Sequence, residues 1–208
     1  MDVEMSTTQP QVQQAGRGDR VARTREAIVS STLTLAMEGE VAPIVRDIAK
    51  LAGVSARTVF QHFADTAELY VAVLGRVLTG LRGEAQPTPG GALDERITAV
   101  IGQRAGRYEK LLPMWTFVET LQRRSPNASD MVAQMYNSDR HQLAIWFDRE
   151  LTAMPPESRE RTLNALAMAC APEAWVVLRR RLGLSIDQAR DELRFITRAV
   201  FTDGGARH

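Results

Sequence analysis

Cysteine is nearly missing from this 208-residue chain, where Cys170 stands alone. A lone thiol excludes an intramolecular disulfide and a cysteine-built structural zinc site, since each needs several thiols. Histidine is scarce as well, with only His62, His141 and His208 to act as imidazole bases. The phosphate-binding GxxxxGK loop, the HExxH pair and the GxSxG elbow are all missing, and no two carboxylates have a compelling spacing. No catalytic residue, metal or cofactor is therefore expected. No apolar run nears the roughly 18 residues of a membrane span, so no membrane partner is expected either. Lysine is confined to Lys50 and Lys110, which leaves arginine to supply nearly all the positive charge. With a net charge of only +1, any nucleic-acid contact must come from local arrangement and not from bulk charge. The polar stretch 1–19 has no apolar core behind a basic cluster, so it reads as a disordered leader and not a secretory signal, and a cytoplasmic protein is expected.

Alternating β-branched runs are lacking too, and helical periodicity fills the chain, which predicts an all-α fold. A first helix is expected over 20–37, with Ile28 and Leu35 on its apolar stripe and Gly39 as its stop. Short helices follow over 45–52 and 56–63, then a longer one capped by Asp65 or Thr66 and reaching about 81. Prolines and glycines crowd 82–91 and mark the best boundary between two parts, 20–82 and 92–203. Beyond it, helices are expected over 93–112, 113–124, 128–151, 157–182 and 186–202, with Pro172 kinking the fourth of these.

The informative segment is 45–63. Two helices that cross steeply need a small residue where their backbones approach, and Ala49 stands there; Gly53 supplies a turn residue that tolerates a left-handed backbone. Ile48, Ala52, Val54 and Val59 offer buried contacts, and Ser55 is a good N-cap. The run IVRDIAKLAGVSARTVFQHF resembles the helix-turn-helix of the TetR family of bacterial transcriptional regulators, and the likeness is sharp over 23–74. It implies a three-helix N-terminal helix-turn-helix DNA-binding domain, joined through a fourth helix to a C-terminal helical bundle that dimerises. Matched residue by residue, it puts Ala56, Arg57, Thr58, Gln61 and His62 on the exposed face of the recognition helix. Arg57 and Gln61 suit guanine and adenine edges in the major groove, while Thr58 and His62 suit phosphates. Ser55 and Phe60 belong to the same face. Arg46 is placed to reach a phosphate, and Arg17, Arg20 and Arg23 form a basic arm suited to the minor groove. Three positions depart from the family pattern: Ile44 replaces its threonine, Phe60 its tyrosine and Thr66 its lysine. Each departure removes a backbone contact, so a shallower salt dependence is expected.

In the C-terminal half, Ile186, Ala189, Leu193, Ile196 and Val200 recur at spacings of three and four, the seam of left-handed helix packing; the resemblance implies a homodimer interface there, and the alternative is one monomeric bundle. Tyr108, Met114, Trp115, Phe117, Met135, Tyr136, Trp146, Phe147 and Trp175 suit a pocket for a small apolar effector, with Arg104, Glu119, Gln134 and His141 as candidate polar anchors; the alternative for most of the first set is plain core, and for the anchors a solvated face. The expectation is a repressor that leaves a palindromic double-stranded DNA operator when an effector binds. The alternatives are a ligand-independent or architectural DNA binder and, more remotely, a small helical enzyme.

Overall fold

The computed structural model describes residues 11–83 and 90–205, with side chains described over 18–81 and 90–202. These residues are helical and contain no strand. The leader at 1–10, the proline-glycine boundary at 84–89, His208 and the Arg17 side chain lie outside what is described.

Helix α1 (Gln11–Met37) begins nine residues before its expected start, so residues 11–19 are helical and not part of a disordered leader. Periodicity marks only the packed part of a helix, and burial in α1 starts at Ile28; the earlier turns propagate from the packed ones. Gly39, at φ 99°, ends α1, with the Gly39 and Glu40 amides returning to the Ala36 and Leu35 carbonyls at 3.1 Å.

Helices α2 (Val45–Ala52) and α3 (Ala56–His62) pack on α1. Helix α4 (Thr66–Gly83) is capped by Asp65, whose Oδ1 accepts the Glu68 amide at 2.8 Å while Glu68 accepts the Ala64 amide at 2.7 Å.

Helix α5 (Leu93–Leu111) runs into a tight 3-10 turn, Leu112–Met114, because Pro113 cannot donate within a continuing helix. Next come α6 (Trp115–Arg124) and α7 (Pro126–Trp146), the latter started by Ser125 as N-cap with Pro126 at the first helical position. The helix expected over 128–151 is two helices, since Phe147 leaves helical geometry at ψ 21° and α8 (Asp148–Thr152) starts afresh. The one expected over 157–182 also divides: α9 (Pro156–Ala169) stops, Ala171 is extended, and Pro172 opens α10 (Pro172–Val176). Pro172 therefore breaks the helix and does not merely kink it, because the residue before a proline is pushed out of the helical region. A π-turn, Val177–Arg181, and Gly183 at φ 67° lead into α11 (Ile186–Gly205).

One continuous cluster of buried side chains joins the N-terminal helices to the rest, from Ile28, Ile48, Val59 and Phe63 through Leu69, Val73 and Leu78 to Ile101, Tyr108, Leu166 and Trp175. Helix α4 threads both halves and packs on α1, α6 and α7. At the junction Tyr70 donates to the Pro43 carbonyl at 2.6 Å, and its ring meets Phe117 edge-on at 5.2 Å.

Candidate nucleic-acid interface and interior cavity

The turn between α2 and α3 is built as its residues require. Gly53 sits at φ 67°, ψ 31° and its amide returns to Lys50 and Ala49, while the Val54 amide bonds to Ala49 at 3.0 Å. Ala49 is buried at the close approach. Ser55 caps α3: its Oγ accepts the Thr58 amide at 3.0 Å and lies 2.8 Å from the Thr58 hydroxyl. Val59 is the one buried residue of α3, and Phe63, just past its end, is buried beneath the Arg25 guanidinium, 4.5 Å from the ring centre.

Everything else on α3 is thereby turned outward or to the edge. Ala56, Arg57, Phe60 and Gln61 are exposed, and Thr58 and His62 are half-buried. Arg57 makes no ion pair among the described residues. Phe60 is 52% exposed and Ile44 49% exposed, two large apolar side chains where the family pattern has hydroxyls. Ile44 is the N-cap of α2 and offers it no side-chain hydrogen bond. Arg46 is exposed and pairs with Asp47 at 3.0 Å, a hydrogen bond that raises its already high pKa. Arg20 and Arg23 lie exposed on α1, Arg23 donating to the Asp19 carbonyl at 3.2 Å. They stand on a helix and not on a free arm.

The aromatic and methionine set reads differently in three dimensions. Tyr108, Met114, Trp115, Trp146, Phe147 and Trp175 are closed core; Phe147 packs on Phe201 at 5.0 Å, and the Trp175 indole donates to Glu109 at 2.8 Å. Phe117 borders a small cleft of about 110 Å³ with Tyr70, Val41 and Thr66 at the α4–α6 junction. Met135 alone of the set reaches a cavity of about 290 Å³ between α4, α5 and α7. It is lined by Leu78 and Leu81 of α4, Arg107 of α5, and Met135, Ser138, Asp139 and Gln142 along one face of α7. A further cleft of about 110 Å³ is lined by Arg104, Tyr136, Asp139 and Cys170, among others. The pocket expected of the aromatic and methionine set is thus mostly filled core, and the 290 Å³ cavity is lined by polar and apolar side chains alike.

Between these two openings lies a buried charge cluster. Arg107 Nη2 donates to both Asp139 oxygens at 2.5 and 2.6 Å, and Arg104 Nη1 stands 3.1 Å from Asp139 Oδ2. Arg104 also donates to Tyr108 Oη at 2.9 Å and to the Cys170 and Asp139 carbonyls, and the Tyr108 hydroxyl donates to the Cys170 carbonyl at 2.6 Å. Burial opposes the charge on Arg104, but Tyr108, Cys170 and Asp139 together outweigh it and raise its pKa. Burial likewise raises the pKa of the Tyr108 hydroxyl and of the Cys170 thiol. Tyr136, with its hydroxyl on Glu173, is shifted up by burial and by that carboxylate. The Nε donors of Arg104 and Arg107 have no partner. Of the expected anchors only Arg104 takes part; Glu119 is half-buried, and Gln134 and His141 are exposed. Sequence reasoning missed Arg107 and Asp139. Their signal was available in α7, where Asp139 interrupts the apolar register Val132, Met135, Leu143, Trp146.

The expected interface seam is split by the fold. Ala189 and Leu193 are buried inside the subunit, where α11 packs on α5 and α9, so they cannot serve a second copy. Val200 is half-buried, and Ile186 and Ile196 are exposed. The outward apolar set in this region shares only Ile186 and Ile196 with that seam and adds Met168, Val177, Leu182 and Phe195, with Phe195 69% exposed. A three-four spacing identifies a packed face without saying which neighbour covers it.

Comparison with known proteins agrees with the geometry. Residues 28–73 match the family model for bacterial regulatory proteins of the tetR family. Among solved structures, the chain is similar to a tetR-family transcriptional regulator from Streptomyces coelicolor, at 18% identity and TM-score 0.72 over 88% of this chain and 82% of that one. It is also similar to a transcriptional regulator from Rhodococcus sp. Rha1, at 16% identity and TM-score 0.69 over 86% and 96%. At such identities these likenesses establish the fold. No curated protein matches the chain in sequence.

Proposed function

We propose that this chain, a tetR-family bacterial regulatory protein by its N-terminal helices, works as a repressor that holds a palindromic operator as a homodimer and leaves it when a small effector enters the half-polar cavity. The observation that carries the reading is the presentation of α3: capped by Ser55, pinned by Val59, and offering Arg57 and Gln61 outward with no internal partner competing for Arg57. A guanidinium and a carboxamide so presented match the paired acceptors of guanine and the acceptor-donor edge of adenine.

Control by a ligand needs an element that both sites touch, because an effector acts only through differential affinity for two states. Helix α4 is that element in this reading: its Asp65 cap follows α3 directly, and its Leu78 and Leu81 wall the cavity. The exposed apolar set around Phe195 supplies the surface for a second copy, which must hold two recognition helices about 34 Å apart. The tight packing of Trp115, Trp146, Phe147 and Trp175 favours the alternative of a ligand-independent DNA binder; the cavity beside α4 favours control.

Mobility shifts on duplexes flanking the chain's own coding region, run across a salt series, test the DNA-reading claim. Salt-sensitive binding to a palindrome is expected, and its absence at every such site defeats the proposal.

A further inference from the structure

We infer that the effector is a small monocarboxylate with a short apolar body, seated with its carboxylate on Arg107. This rests on the reading of the chain as a ligand-controlled regulator and concerns the same cavity. Three observations carry it.

The first is charge. Two guanidiniums, with side chains 3% and 8% exposed, face one carboxylate 12% exposed, so the cluster holds one positive charge in excess where water is largely excluded. An uncompensated charge in such a place is costly, and one added anion removes the cost. A single excess charge matches a monoanion.

The second is geometry. A guanidinium pairs best with a carboxylate through two parallel N–H donors, whereas Arg107 spends one nitrogen, Nη2, on both oxygens of Asp139 and leaves Nε without a partner. Nε is closed off, so the donor that Arg107 can turn to the 290 Å³ cavity it lines is Nη1, which makes no hydrogen bond among the described residues.

The third is the apolar share of the lining. Leu78, Leu81 and Met135 give the rest of the molecule an apolar bed, and the volume lies at the lower edge of the roughly 300–1,000 Å³ typical of small-molecule sites. An amine aimed at Asp139 would bring a third positive charge into the cluster. An uncharged lipophile would leave the excess charge uncompensated.

Isothermal titration on the full chain with octanoate, benzoate, octanol and octylamine tests the inference. A carboxylate is expected to bind at least about tenfold tighter than the alcohol or the amine, in line with the strength of hydrogen bonds between charged groups. Arg107→Met, which leaves Asp139 paired with Arg104, should weaken carboxylate binding by a similar factor, while Arg107→Lys should restore part of it. Octanol or octylamine binding as tightly as the acid overturns the inference, as does failure of both acids to bind. The comparison among ligands needs no variant, so it decides even if Arg107→Met does not fold. A mobility shift separates the two readings. If an acid binds through Arg107 yet leaves the protein on its DNA, the ligand class stands and relief of repression falls. If only an uncharged lipophile releases the DNA, relief stands and the carboxylate falls.

Discussion

Replacing Gly53 by alanine perturbs the one backbone position on which the mutual angle of α2 and α3 depends. Gly53 sits at φ 67°, a region that costs an L-residue about 1–2 kcal/mol. A Cβ built there meets no atom within 4 Å, so no clash adds to that figure. Alanine also restricts the unfolded chain more than glycine does, which offsets part of the loss, about 0.4–1 kcal/mol. The net expectation is a loss of about 1 kcal/mol, or a Tm lower by roughly 2–4 °C for a chain of this size. Gly53→Asn should lose about half as much, because asparagine tolerates the left-handed region, and Gly53→Val should lose more than alanine. The assay is urea denaturation followed by far-UV circular dichroism at one fixed protein concentration, since the proposed dimer would make stability concentration-dependent. An unchanged midpoint for Gly53→Ala would refute the backbone argument. So would a loss beyond about 3 kcal/mol, which would require a steric term that the open space around Gly53 does not provide.

Arg57→Ala should leave stability unchanged and remove about 1–3 kcal/mol of discrimination at one base pair, whereas Arg46→Ala should weaken all sequences alike and flatten the salt slope by about 0.9; fluorescence anisotropy across operator variants and salt separates them, and identical patterns would contradict the assignment. Asp139→Ala strands two buried guanidiniums and should cost about 3–5 kcal/mol in urea denaturation, with Arg107→Met in the same chain recovering part; a loss under about 1 kcal/mol would mean the cluster is solvated. Burial raises the pKa of Glu109, but hydrogen bonds from Arg179 and Trp175 outweigh it and hold the carboxyl below its usual range. Its contribution is therefore complete above the unfolded-state value of about 4.3 and is lost as the pH falls through the lower folded value. Glu109→Gln should flatten that acid limb and alter the Trp175 emission, and an acid limb identical to that of the unsubstituted chain would remove Glu109 from the explanation. Phe195→Glu should shift light-scattering mass from dimer to monomer while leaving the fold intact; retention of the dimer mass would exclude this face.

The N-terminal helices were legible because each of their constraints is local. Gly39, Gly53 and Ser55 act within a few residues of themselves, and the structure finds each of them at the turn or cap expected. The long C-terminal helices were legible in order but not in number or continuity, because the breaks at Phe147 and Ala171 answer to packing and to Pro172, which periodicity does not encode. The interface seam failed for a similar reason: Ala189 and Leu193 share a face, but the subunit itself covers it. The cavity was least legible. Aromatic and methionine content foretold a core and not a hollow, since Trp115, Trp146 and Trp175 fill space instead of bounding it. What did point inward was charge out of place, Arg104 and Asp139 in otherwise apolar registers, and a buried charge needs a partner more urgently than a buried ring does.

Helix α3 is seven residues long, capped at its start and attached to the core through Val59 and the following Phe63. A helix that short has no stability of its own, so folding depends on those few attachments and is indifferent to positions 56, 57, 60 and 61. On the proposed reading of α3, those four positions can therefore drift, or be randomised together, at little cost to the melting temperature while the preferred DNA sequence changes. Divergence of this chain toward a new operator needs no compensating substitution in the core, and selection on Gly53, Ser55, Val59 and Phe63 is independent of whatever sequence the protein reads.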